Sequence, residues 1–232
     1  MKAYLNGIRF AVCLTFSAAV FFSGCNPEKK SRKRIESLQT SAQTQKYEIG
    51  IACMQYILKH GTDPDYAKSL VKTLLELEFY SEAIYGVESL LEKYPDDAEL
   101  FYLRSMARRK QHQYDGSLDD IRRARELQPQ NATLPREAEQ TREEMHLWSE
   151  IQSLNHALTN STDSFNVLLQ RARHFFTLRE YDAVLYDLGS VSKMRAPKDS
   201  IYYAQKVSSL YKDSGRPVET LSEMLEYFRG LE

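Results

Sequence analysis

Two patterns of hydrophobic residues divide this chain. From Phe10 to Phe22 the residues run apolar without a charge, behind Lys2 and Arg9 and ahead of the small Ser23 and Gly24. A basic start, a short apolar run and small residues at a cut site form a secretory signal. The run is too short to span a bilayer, which takes roughly 20 residues. Residues 26–44 are polar and read as a tether that turns helical near its end. From Tyr47 onward, apolar residues recur at steps of three and four, and Pro and Gly fall where helices would end. No run alternates with period two, so the body is predicted to be all-α.

The helical pattern repeats. Aligning Pro95 with Pro129 superposes Tyr80 on Tyr114, Ala83 on Ser117, Val87 on Ile121 and Leu90 on Ala124. Each segment predicts a first helix, a break before the Tyr, a second helix, and a Pro that stops it. A third unit spans 168–191, with Ala172 on its first helix and Tyr181 opening its second. A fourth spans 201–227, with Ser214-Gly215-Arg216-Pro217 as its break. Residues 47–60 fit the second helix of a divergent leading unit. Residues 132–160 have no turn signal, and Trp148, Ile151, Leu154 and Leu158 form one stripe there. A degenerate repeat and one long helix both fit that stretch.

A helix–turn–helix period of about 34 residues with these signature positions resembles the tetratricopeptide repeat. The resemblance implies about four to five helical hairpins stacked as a right-handed solenoid, because a lone hairpin cannot bury both of its apolar faces. It also implies a protein-binding groove lined by the first helices, at Lys68, Lys72, Tyr102, Met106, Arg109, Arg173 and Phe176. Arginines and aromatics are common interface anchors, and packing against the neighbouring repeat is the alternative for each. At the other end of the chain, Phe22-Ser23-Gly24-Cys25 is similar to the lipobox of bacterial lipoproteins. That resemblance implies removal of 1–24, a diacylglycerol on the Cys25 sulfur, and attachment in the cell envelope, at an outer membrane facing the periplasm. The expected division is then a signal over 1–24, a lipidated tether over 25–45, one repeat group over 46–131, a degenerate repeat or connecting helix over 132–162, and a second group over 163–232.

Charge and chemistry narrow the function. Removing 1–24 takes away Lys2 and Arg9 and no acid, which moves the formal charge from −1 to −3. A near-neutral body does not point to nucleic acid. Lys29, Lys30, Arg32, Lys33 and Arg34 follow Cys25 closely and suit either anionic headgroups or solvent. With Cys13 in the signal and Cys25 acylated, Cys53 is left alone among apolar residues and reads as a small buried hydrophobe. Arg104 and Asp120 lie on paired helices, and Arg171 and Asp187 lie on another pair at the same sequence separation. The equal spacing predicts an ion pair between the helices of each hairpin, with ligand contact by the arginines as the alternative. The five histidines show no metal-binding spacing, and no phosphate loop, nucleophile elbow or CxxC motif is present. No cofactor is expected. The chain is therefore expected to be a non-catalytic, membrane-anchored scaffold for a protein partner. A glycan-capturing lipoprotein accessory to an outer-membrane transporter is the alternative.

Overall fold

The structure, a computed structural model, describes residues 28, 31–33, 35, 46–60, 62–160, 164–195, 222 and 225–226. Its helices are α1 (Lys46–Lys59), α2 (Pro64–Glu76), α3 (Tyr80–Leu91), α4 (Ala98–Lys110), α5 (Tyr114–Leu127), α6 (Thr133–Asn160), α7 (Ser164–Thr177) and α8 (Tyr181–Arg195). No strand occurs among the described residues. The unit expected over 201–227 lies outside them, apart from three helical residues of which Leu225 is buried against α7 and α8.

Each helix buries one stripe. In α2 it is Ala67, Leu70, Val71 and Leu74; in α3 it is Ala83, Gly86, Val87 and Leu90. In α5 the same spacing gives Ser117, Asp120, Ile121 and Ala124. This i, i+3, i+4, i+7 pattern puts four side chains on one face of a 3.6-residue helix. Burying each Leu or Val is worth roughly 1.5–3 kcal/mol. The first helices α2 and α4 start on side-chain caps. Asp63 accepts from the Tyr66 N–H at 3.1 Å, ahead of Pro64, and Asp97 accepts from the Glu99 N–H at 2.9 Å. Such caps contribute about 1 kcal/mol each.

The hairpins α2–α3, α4–α5 and α7–α8 share one turn. Glu78, His112 and Arg179 take left-handed φ values of 63°, 59° and 62°. Around each, two backbone bonds close the end of the first helix: Phe79 N–H to Leu74 C=O with Glu78 to Leu75, Gln113 to Arg108 with His112 to Arg109, and Glu180 to Phe175 with Arg179 to Phe176. This is the Schellman pattern, normally built on glycine. The carbonyls of Phe79, Gln113 and Glu180 then accept from the N–H groups of Ala83, Ser117 and Val184, so the second helix begins at once. Three hairpins of the same construction thus stand in one stack, and α2 lies against α4 as well as α3.

The stack is not uniform. Between the second and third hairpins, α6 is one continuous helix of 28 residues, about 42 Å long. Its first half packs Leu134 and Ala138 on Ile121 and Ala124 of α5, and its far end brings Leu158 to α7 and α8.

The N-terminal stretch departs from the expected tether. Glu28, residues 31–33 and Ile35 are helical, and Ile35 is 1% exposed within the core that α1–α4 build. Arg32 donates to Glu28 at 2.9 Å, to Asp63 at 2.8 Å and to the Tyr56 hydroxyl at 2.9 Å, and lies over the Tyr66 ring. The segment's polar composition hides one buried isoleucine and one arginine whose partners stand far downstream. Cys25, Lys29, Lys30 and Arg34 lie outside the described residues.

Candidate functional site

The shared turn fixes the ion pairs. Arg104 precedes the left-handed His112 by as much as Asp120 follows it, so the two face each other across the hairpin. Arg104 Nε and Nη2 donate to Asp120 at 3.0 and 2.7 Å, and Arg108 Nη1 adds a third bond at 2.8 Å. Asp120 is 3% exposed. In the third hairpin, Arg171 grips Asp187 with two bonds, one of 2.8 Å, and reaches Asn155 of α6 at 2.6 Å. The first hairpin holds Leu70 and Gly86 at the same two places, and Ile57 and Met54 of α1 close over the glycine. One structural slot is therefore filled by charge twice and by apolar packing once.

The groove residues assigned by sequence divide by how their side chains are engaged. Lys68 is 11% exposed and meets Asp97 at 3.0 Å, Glu99 at 3.0 Å and Asp65 at 3.2 Å. Burial works against its charge, but the three carboxylates outweigh burial and hold the ammonium above the usual lysine range. Arg109 meets Glu137 of α6 at 3.0 Å, with 12% of its side chain exposed. These two cations tie each first helix to the next. Lys72 pairs with Glu99 at 2.7 Å yet stays half-exposed, and its hydrogen bond, with the one from Lys68, keeps the Glu99 carboxyl low. Tyr102 is half-buried beside Glu137, and burial raises its phenol. Met106 packs against the core of the first two hairpins. On α7, Arg173 is half-buried and Phe176 meets the Tyr181 ring edge-on at 6.0 Å.

A cluster that sequence reasoning did not assemble lies beside this face. The His112 ring stacks on Trp148 of α6, with centroids 3.7 Å apart and planes within 6°. His112 Nδ1 is 3.1 Å from the Tyr114 hydroxyl, and Nε2 is 3.7 Å from Glu180 of the α7–α8 turn. Burial lowers the His112 pKa, against the pull of Glu180 and Glu144. Burial likewise raises the Tyr114 phenol. The cluster joins the α4–α5 turn to α6 and to the third hairpin. Its members come from three separate elements, and no local spacing signals such contacts.

The other chemical candidates are plain. Cys53 is buried, and burial pushes its thiol up to about 11. An open cleft of about 540 Å³ lies between α2 and the α3–α4 loop, walled by Pro64, Lys68, Tyr94, Asp97 and Gln128. Among the described residues, no three His, Cys, Asp or Glu side chains are placed to hold a metal, and no helix is long and apolar enough to cross a membrane.

No family model matches the sequence, and no curated protein is significantly similar to it. Among solved structures, the chain is similar to a thermophilic tetratricopeptide repeat protein of Thermus thermophilus, at 16% identity and a TM-score of 0.40, over 80% of this chain and 100% of that one.

Proposed function

We propose that this chain is a non-catalytic scaffold of the bacterial cell envelope, held by a lipid on Cys25 at an outer membrane facing the periplasm, and that it binds a protein partner along its first helices. One observation carries the binding: hairpins of identical turn geometry stand in one stack, so α2 and α4 present adjoining first-helix faces. On that surface Lys72, Tyr102 and Met106 are the assigned groove residues that no ion pair buries between neighbouring helices, whereas Lys68 and Arg109 are held that way. Of these, Lys72 is the most open to solvent. An extended peptide or a helix of the partner fits such a surface. The anchor would raise the local concentration of the scaffold near membrane partners. Glycan capture, the second reading, would draw on Trp148, whose ring is stacked under His112.

Photo-crosslinking in cells tests the groove. A photoreactive residue at Lys72 should give a discrete protein adduct, and one at the outward Asp119 should not. Equal labelling at both sites, or none at Lys72 in a chain that retains its helical circular dichroism, would overturn the assignment. For the anchor, Cys25→Ala should abolish acyl labelling and leave the precursor uncut.

A further inference from the structure

The long helix α6 belongs to two neighbours in turn. Its first half is tied to the second hairpin: Leu134 and Ala138 pack on α5, and Glu137 meets Arg109 of α4. Its second half is tied to the third hairpin. Asn155 accepts from Arg171 at 2.6 Å, Leu158 packs on α7 and α8, and Glu150 lies 3.7 Å from His174 Nε2. The second half of α6 with α7 and α8 is therefore one arm, and α1–α5 with the first half are the body. Near the division, the Thr141 hydroxyl donates to the Glu137 carbonyl at 2.7 Å, a contact one turn back that tends to bend a helix.

His112 stands where the arm meets the body. Its ring stacks on Trp148 of α6, and Nε2 faces Glu180 in the turn of the arm. The charged and titratable groups that face the ring are Lys110 of α4, Tyr114 of α5, Glu144 of α6 and Glu180. A neutral ring is satisfied in this place. Nδ1 shares a hydrogen bond with the Tyr114 hydroxyl, which can donate or accept. A protonated ring is served poorly. The carboxylate that faces Nε2 stands 3.7 Å away, beyond hydrogen-bond distance. Glu144 is drawn towards Arg109, 3.9 Å away, and Lys110 repels a second cation. Only 24% of the side chain meets water. Glu180, Glu144 and the indole face do favour a charged ring, but burial outweighs them and lowers the His112 pKa.

We propose that the His112–Trp148 stack is a proton-operated latch: the neutral ring holds the arm against the body, and protonation lets the arm swing away. The sign follows from linkage. A ring released into water titrates near 6.5, above the docked ring, so it binds a proton more tightly and acid favours release. Of the assigned groove residues, Arg173 and Phe176 ride on the arm, whereas Lys72, Tyr102 and Met106 stay with the body. Acid would then part the two halves of the binding surface. That consequence rests on the proposed groove; the latch itself does not, and it is independent of the anchor at Cys25.

The test reads Trp148, the single tryptophan of the chain, in the full-length protein. As pH falls from about 8 to 5, above the carboxylate range near 4, its emission should shift to the red and acrylamide should quench it more. The midpoint should lie below 6.5, with helical circular dichroism unchanged. Two surface substitutions should move that midpoint in opposite directions. Lys110→Gln removes the repelling cation and should raise it; Glu180→Gln removes an attracting acid and should lower it. Emission that stays flat, or a midpoint that ignores both substitutions, overturns the latch. A blue shift, in which Glu180 closes on a charged ring, overturns it as well, and so does a red shift that coincides with loss of helical signal. If the Trp148 transition behaves as expected but a photoreactive residue at Lys72 captures no protein, the latch stands and the groove reading fails.

Discussion

The slot shared by the three hairpins allows a double-mutant cycle whose apolar end point the molecule itself supplies. Asp120→Ala leaves the Arg104 and Arg108 guanidinia, only 16% and 21% exposed, facing a methyl group. Removing one partner of a buried pair typically costs about 3–5 kcal/mol, because the remaining charge stays desolvated. Here two cations lose the same carboxylate, and the semi-exposed Glu88, 3.9 and 3.6 Å away, is a weak substitute. A cost of about 4 kcal/mol is expected. Arg104→Leu is milder, about 1.5 kcal/mol, because Asp120 keeps Arg108 at 2.8 Å. The double variant Arg104→Leu/Asp120→Ala approximates the Leu70–Gly86 arrangement. Apolar replacement of a buried pair is often near neutral, but Arg108 still loses its carboxylate, so about 2.5 kcal/mol is expected. The coupling between the sites is then about 3 kcal/mol, at the upper end for contacting residues. Urea denaturation followed by helical circular dichroism measures all four chains, provided the slope with urea is unchanged. Additive single effects, or an Asp120→Ala cost below about 1 kcal/mol, would refute the claim that this carboxylate holds two otherwise buried charges.

Other outcomes follow from the turns, the glycines and the titrating groups. Glu78 is exposed in a left-handed conformation that costs an L-residue roughly 1–2 kcal/mol. Glu78→Gly should therefore raise stability by about 0.5–1 kcal/mol once the looser unfolded chain is counted. His112→Gly relieves the same strain but loses the Trp148 stack, and should lower the urea midpoint. Gly189 has nothing within 4 Å of an added methyl, so Gly189→Ala should stabilise α8 by up to about 1 kcal/mol. Gly50→Ala should instead cost about 1–3 kcal/mol, because its methyl would stand 2.7 Å from the Phe79 ring. His112 is held neutral in the fold, so its contribution is complete above the unfolded value of about 6.5 and is lost as pH falls through the lower folded value. Glu28, Asp63 and Glu99, whose carboxyls are lowered by hydrogen bonds and cations, give a separate loss at more acid pH. Urea midpoints between neutral and strongly acid pH should show both steps, and His112→Phe should remove the first alone.

What the sequence disclosed depended on distance along the chain. The hairpins were legible because Tyr80, Tyr114 and the two prolines recur with one period, and the constant Arg–Asp spacing follows from a turn of fixed length. Contacts between units were not legible. Lys68 and Arg109 stood at groove positions by repeat register, yet Asp97, Glu99 and Glu137, the acids that engage them, lie near the start of the following helix pair. A search for opposite charges one repeat further on would have found them. The tether reading averaged over 25–45, and composition cannot register one buried Ile35 or an arginine whose partners are remote. His112 and Trp148 meet because α6 runs on as a rod past the turn of the second hairpin, which no local pattern specifies.

The left-handed turns have a consequence for how such a molecule diversifies. In each hairpin the backbone alone closes the turn, so the side chain at its centre is not needed to make it. An acid, an imidazole and a guanidinium occupy that one position in turn, at Glu78, His112 and Arg179. Each hairpin therefore carries an addressable site on the edge of the stack, where chemistry can be exchanged without altering the architecture. Glycine there would silence the site, relieving strain at the exposed Glu78 but costing stability at His112, where the Trp148 stack is lost.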